Sequence, residues 1–262
     1  MILDDIAAAT RKRVETCRQE ISYEEMKSRA CQMEVTGAFP FEERLRGDGI
    51  HFICEVKKAS PSKGVIAPRF PYVEIAEEYE RAGADCISVL TEPNYFLGST
   101  GYLAEIRKHV DIPLLRKDFT VDDYMIYEAK VIGADAVLLI CSLLEEETIR
   151  DWIGLCDSLG LSALVEAHDE EEVSMAARAG ARMIGVNNRN LKTFQVDVRN
   201  CLRLREMVPP DVVFVAESGI QTREDVEALE RGNVNGVLIG ETLMKRQDKA
   251  AAVRELRGKE PM

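Results

Sequence analysis

The sequence predicts an α/β protein, a closed (β/α)8 TIM barrel preceded by an N-terminal helical extension. Three observations predict it. After about residue 49, short apolar runs rich in β-branched residues alternate with longer amphipathic stretches, the pattern of parallel βα units. About eight such runs occur, each followed by a helix-like segment, which is the count of a closed barrel. A glycine-centred repeat also recurs about every 50 residues, the length of two βα units. An open doubly wound sheet repeats βα units too, but four evenly spaced double units favour closure.

Taken in order, residues 1–48 stand outside the βα rhythm. Ile2, Leu3, Ile6, Val14 and Cys17 fall near helical spacing, and Tyr23–Met33 reads as a second helix. Such an extension either plugs the barrel base or lies over its mouth, and periodicity leaves both open. Gly47-Asp48-Gly49 is a turn signal before the first strand. The strands are Phe52–Lys57, Cys86–Leu90, Pro113–Lys117, Ala136–Ile140, Ala163–Glu166, Met183–Asn187, Val212–Glu217 and Val237–Gly240. Between them, segments such as Asp122-Asp123 to Lys130 and Thr222 to Arg231 carry acid at their start and base at their end, as helices prefer. Glu145-Glu146-Glu147 and Glu170-Glu171-Glu172 read as helix first turns with solvated faces, and Trp152 as helix-packing core. Ala82-Gly83-Ala84-Asp85, Ile132-Gly133-Ala134-Asp135, Ala179-Gly180-Ala181-Arg182 and Gly232-Asn233-Val234-Asn235 precede strands 2, 4, 6 and 8. Each reads as a helix C-cap glycine followed by a tight turn into the strand. Residues 1–262 are thus read as a single barrel domain, with 1–48 the extension and 49–262 the barrel.

Composition narrows the function classes. The 262 residues are 46% apolar and 31% charged, an ordinary globular balance. A net charge of −12 argues against binding nucleic acid or an anionic membrane, yet a few cations in a cleft still suit an anionic substrate. No apolar run approaches the roughly 18 residues of a membrane span. Asp4 and Asp5 stand where a signal peptide carries base. The seven scattered cysteines contain no CxxC pair, so reduced thiols and a cytoplasmic location are expected. Three histidines without an HExxH motif disfavour a metal-dependent hydrolase.

Barrel active sites lie at the C-terminal strand ends. Those ends here are Glu55 and Lys57, Arg116-Lys117-Asp118, Glu166, Asn187 with Arg189 beyond it, and Glu217-Ser218-Gly219. Glu55 and Lys57 are two apart, so both point to one side of strand 1. Three glutamates and two or three cations converging on one mouth make an acid/base site. Ser60-Pro61-Ser62-Lys63-Gly64, Ser218-Gly219 and Gly240 read as phosphate cradles, the glycines by offering backbone N–H groups at helix N-termini. Cys141 ends strand 4 facing the mouth without a histidine partner. His51, His109 and His168 are set aside, the last as the start of a helix.

These residues resemble a known family. Glu55-Val56-Lys57-Lys58-Ala59-Ser60-Pro61-Ser62-Lys63-Gly64 closely resembles the strand-1 signature of the indole-3-glycerol phosphate synthases. Leu90-Thr91-Glu92, Tyr95-Phe96 with Gly98-Ser99, Leu115–Phe119, Leu164-Val165-Glu166, Ile184–Leu191, Ala216–Ile220 and Leu238–Glu241 continue the likeness in order along nearly the whole chain. The resemblance implies a cofactor-free, metal-free enzyme of tryptophan biosynthesis. Its reaction would turn 1-(2-carboxyphenylamino)-1-deoxyribulose 5-phosphate into indole-3-glycerol phosphate, carbon dioxide and water. Partners would be that phosphorylated small molecule and, by docking, other tryptophan-pathway enzymes.

By matching position the resemblance makes Lys117 the general acid, its pKa expected to be lowered by neighbouring cations or partial burial. Glu166 and Glu217 would assist proton transfers, and Glu55 would position the network. Lys57 would hold the anthranilate carboxylate or the phosphate, and Asn187 and Arg189 other polar substrate atoms. Phe96 and Phe119 would wall the aromatic ring. Ser60, Ser218, Gly219, Gly240 and Glu241 would form the anion-binding margin, although some family members carry serine at the Glu241 position. The rival readings are another phosphate-binding barrel, such as phosphoribosylanthranilate isomerase, and a non-catalytic barrel that binds a phosphorylated ligand.

Overall fold

The computed structural model describes residues 2–189 and 195–258; Asn190 and Leu191, the end of one matched stretch, lie outside them. Eight parallel strands close into a barrel. They are β1 (His51–Val56), β2 (Cys86–Leu90), β3 (Leu114–Lys117), β4 (Ala136–Ile140), β5 (Ser162–Ala167), β6 (Met183–Asn187), β7 (Val213–Glu217) and β8 (Gly236–Ile239). Each strand pairs with the next in sequence, and β1 closes the ring by pairing its Ile53–Val56 with β2 and its His51–Cys54 with β8. The expected strands are all present, with ends shifted by a residue or so. Lys57 and Gly240 lie just past their strands. The chain beyond β1 turns into a small hairpin of Ala59–Ser60 and Gly64–Val65, where Lys58 O accepts from the N–H groups of Ile66 and Ala67. Gly240 caps the short helix that follows β8.

Two-residue alternation sorts every strand into an inner and an outer face. Ile53, Cys86, Leu115, Ala136, Leu138, Ile140, Leu164, Met183, Val213, Val215 and Leu238 form one buried cluster inside the barrel. Their neighbours, such as Phe52, Ile87, Leu114, Val137, Val165, Ile184, Phe214 and Val237, belong to the larger cluster against the helices. Each fully buried aliphatic contributes about 1.5–3 kcal/mol, so neither face tolerates a slip in register. Continuing the inner rows upward reaches Glu55, Lys117, Glu166, Asn187 and Glu217.

The extension forms α1 (Ile2–Glu20), α2 (Tyr23–Cys31) and a helix the sequence reading lacked, α3 (Pro40–Leu45), which has proline in its first turn. It occupies both ends of the barrel. Phe41 and Leu45 of α3 are wholly buried in the inner cluster and plug the base. At the other end, Ile2, Leu3 and Ile6 of α1 line the cavity at the mouth, and Arg13 holds Asp118, just past β3, at 2.7 Å.

The outer helices that follow successive strands are α4 (Tyr72–Arg81), α5 (Thr100–Ile106), α6 (Tyr124–Val131), α7 (Glu146–Ser158), α8 (Glu170–Arg178), α9 (Arg199–Arg205) and α10 (Arg223–Arg231), with α11 (Glu241–Met244) and α12 (Lys249–Leu256) completing the ring. The repeat glycines behave as read in three copies: Gly83, Gly133 and Gly180 have φ of +89°, +87° and +88°. In the fourth, Gly232 has φ −83° and the left-handed residue is Asn233 at +57°. Gly232 serves clearance instead, because a Cβ there would collide with Leu202. No helix among the described residues is long and apolar enough to cross a membrane.

Candidate active site

A cavity of about 620 Å³ opens at the C-terminal ends of the strands. On its floor, Lys117 Nζ lies 2.7 Å from Glu166 Oε2 and 3.1 Å from Glu217 Oε2. Beside them Lys57 Nζ lies 2.6 Å from Glu55 Oε1. Asn187 Nδ2 donates to Glu166 Oε1 at 3.2 Å. Two glycines make room for this charge: a Cβ at Gly185 would collide with the Glu217 carboxylate, and one at Gly240 with that of Glu55.

The charges set one another's protonation. Burial disfavours the charge on Lys117, but the carboxylates of Glu166, Glu217 and Glu55 outweigh it and raise the pKa above the ordinary lysine value. This reverses the expectation of a lowered pKa, because the neighbours are anions and not cations. Glu166, although buried, is held below the usual carboxylate range by Lys117 and by His168. Glu217 goes the other way: burial and the repulsion of Glu166 overcome Lys117 and raise it to about 7. Two carboxylates on one ammonium are thus pushed apart, one held well below neutrality and the other raised up to it, the pattern that separates acid from base.

Around the rim, Glu241 gathers three cations, with Lys245 Nζ at 2.5 Å and Lys63 Nζ and Arg189 Nη2 each at 3.7 Å. Asn187 Oδ1 accepts from the Arg189 backbone N–H at 3.1 Å, fixing where that arginine starts. Phe96 and Phe119 line one wall with ring centroids 5.7 Å apart. The loop carrying Phe96 is pinned by buried Glu92, whose carboxylate accepts from the backbone N–H groups of Asn94, Tyr95 and Phe96. Ser60, Ser218 and Gly219 complete the lining. Ser218 and Gly219 are both left-handed, at φ +67° and +86°. They do not open a helix, as the sequence reading had them. α10 starts later, and its N-terminus is closed by its own Thr222–Asp225 capping box.

A family profile described as "Indole-3-glycerol phosphate synthase" matches residues 3–256. The chain belongs to the indole-3-glycerol phosphate synthase family. The synthase of Ruminiclostridium cellulolyticum is 57% identical over 98% of this chain and 99% of its own, and that of Endomicrobium trichonymphae 54% identical over 98% and 100%. Among solved structures, 3-hexulose-6-phosphate synthase from Salmonella typhimurium shares the fold alone, with a TM-score of 0.66 at 15% identity over 80% of this chain and 97% of that one.

In this member of the synthase family, all fourteen residues picked from the sequence line the cavity. Cys141 does not: it begins a 3₁₀ turn and is buried with Sγ against the carbonyl of Glu172. Lys245, which reaches Glu241 one helical turn away, is not among those fourteen, and Ile2, Leu3 and Ile6 of α1 take the place over the mouth that periodicity left open. The sequence reading set aside His168, whose Nε2 lies 3.3 Å from Glu166 Oε1. The signal for His168 was present, since Glu166-x-His168 has the same two-residue spacing that places Lys57 beside Glu55.

Proposed function

We propose that this mouth closes the indole ring of 1-(2-carboxyphenylamino)-1-deoxyribulose 5-phosphate, giving indole-3-glycerol phosphate, carbon dioxide and water, with Lys117 as general acid. The observation that carries the reading is the Lys117 ammonium between two carboxylates of opposite protonation tendency, in a chain of the indole-3-glycerol phosphate synthase family. The aryl carbon bearing the carboxylate attacks the ketose carbonyl while Lys117 protonates its oxygen. Carbon dioxide then leaves, and its bonding pair restores the aromatic ring. Water departs as a proton is given to the new hydroxyl and another is taken from the adjacent ring carbon. The carboxylates of Glu217 and Glu166 serve those last transfers. A proton on Glu217 also removes one of the anions that hold Lys117 charged, which helps Lys117 to donate.

Lys57, only 17% exposed against 47% for Lys63, suits the anthranilate carboxylate near the floor. The rim cations Lys63, Arg189 and Lys245 suit the phosphate, with Ser60, Ser218, Gly219, Gly240 and Glu241 as its margin. Glu55 positions Lys57, Phe96 and Phe119 wall the ring, and Asn187 orients Glu166. The test is a fluorescence assay with that substrate, in chelator and without added cofactor, with carbon dioxide release followed in parallel. An indole signal with matched carbon dioxide supports the reading; turnover without carbon dioxide, or none from folded protein, overturns it.

The raised Glu217 yields a prediction with a defined sign. In the folded state it holds its proton up to about pH 7, whereas unfolded it ionises near 4.3. Its contribution to stability therefore falls as pH rises across that window. Glu217→Gln is expected to lower kcat about 100-fold and to erase the kcat limb near neutrality. Its melting temperature at pH 8 should equal or exceed the parent's. An unchanged pH profile would remove Glu217 from proton transfer.

A further inference from the structure

We propose that His168 is a positioning residue that makes the two carboxylates on Lys117 unequal, holding Glu166 as a fixed anion so that Glu217 carries the exchangeable proton. The inference rests on the reading of Lys117, Glu166 and Glu217 above. His168 follows β5 directly, and its side chain is only 15% exposed. Nε2 makes a charge contact with Glu166 Oε1 at 3.3 Å, without an aligned hydrogen bond, and Nδ1 lies 2.9 Å from Glu172 Oε2 in the first turn of α8. Glu172 is fixed in its turn, accepting from Ser142 Oγ at 2.6 Å and from the His168 backbone N–H at 2.8 Å. Asn200 Nδ2 of α9 holds the His168 carbonyl at 3.1 Å.

A ring with a carboxylate at each nitrogen is favoured as the doubly protonated imidazolium. The charged and titratable groups around it are Glu166 on β5, Glu172 and Asp169 at the start of α8, Cys141 after β4, and Lys117 on β3 beyond Glu166. Burial opposes the charge, but Glu166 and Glu172 prevail and raise the imidazole pKa to about 10. Glu166 therefore has a partner at each oxygen, Lys117 at Oε2 and His168 with Asn187 at Oε1. Among the described residues, Glu217 has Lys117 at Oε2 only, and its buried Oε1 has no hydrogen-bond partner. The two glutamates thus differ by the Asn187 amide and by the imidazolium, and of these only the imidazolium carries charge.

The test joins ring-nitrogen NMR titration to kinetics. With three histidines in the chain, His168→Gln assigns the His168 signal by its disappearance. His168 is expected to remain doubly protonated at about pH 8, and a ring already neutral at about pH 7 overturns the proposal whether or not the enzyme turns over the proposed substrate. His168→Gln, which keeps a donor but no charge, is expected to lower kcat about tenfold with KM within about twofold. Its acidic kcat limb should move up by at least about half a pH unit, because Glu166 loses a cation. A purely structural role predicts the parent's pH profile in His168→Gln, and that result overturns the proposal. Should that variant not fold, Glu172→Gln removes one carboxylate from the ring: a lowered His168 titration midpoint supports the pairing, and an unchanged one overturns it.

Discussion

Replacing Lys117 with alanine is expected to lower kcat by about three orders of magnitude, within the range for loss of a general acid, while KM changes far less. Lys117 is the only lysine or arginine within 4.0 Å of Glu166 or Glu217 among the described residues. Lys57 is committed to Glu55 at 2.6 Å and cannot reach across without abandoning it. The variant also leaves the glutamates facing one another without the ammonium, so they take up protons and the remaining activity moves to higher pH. Lys117→Arg separates charge from acidity: it restores the cation, but a guanidinium does not give up a proton near neutrality. It should therefore stay within about tenfold of the alanine variant. Steady-state kinetics on both, with circular dichroism to verify folding, decide the matter; near-full turnover in Lys117→Ala would take the acid role from it.

The neighbouring residue on the same strand should fail in the opposite way. Arg116 points outward, 2% exposed, with Nη2 2.6 Å from Glu128 Oε2 of α6 and 3.5 Å from Asp118 Oδ2. Its Nη1 donates to the Met125 carbonyl at 2.8 Å and its Nε to Thr91 Oγ1 at 3.3 Å. Arg116→Leu strands the Glu128 carboxylate and a buried carbonyl together. Breaking a buried pair from one side costs about 3–5 kcal/mol, a large share of the roughly 5–15 kcal/mol that holds a domain folded. Asp118 keeps Arg13 and Thr91, so the loss centres on the contact between β3 and α6. Urea unfolding should show this loss, while kcat of the protein still folded at low temperature stays near the parent's. A loss below about 1 kcal/mol would mean that the pair contributes no more than an exposed one.

This contrast between adjacent residues explains what could be read from the sequence. Alternation is local, so Glu55 with Lys57, Lys117, Glu166 and Glu217 were recognisable as one inward set once the strands were placed. Whatever depended on strands or helices meeting across the barrel was not legible. The protonation of Lys117 reverses because β5 and β7 each bring an anion to β3, which no spacing within β3 reveals. His168 gains its meaning from Glu172, delivered by the next helix. Phe41 and Leu45 look like any short apolar pair until the open base of the barrel gives them somewhere to go. In the fourth repeat Gly232 is itself the helix C-cap, as Ala82 is in the first, so the left-handed position after the cap falls to Asn233, while Leu202 from another helix leaves no room for a Cβ at Gly232.

Closure of the ring between β1 and β8 also orders events in time. Glu55 and Lys57 are made with the first strand of the barrel, yet the glycine that gives the Glu55 carboxylate its space, Gly240, follows the last strand. A nascent chain on the ribosome therefore carries most of the mouth's charge before it can gather it. The mouth is completed only when β8 takes its place between β7 and β1, so maturation of the site waits on the last strand of the barrel.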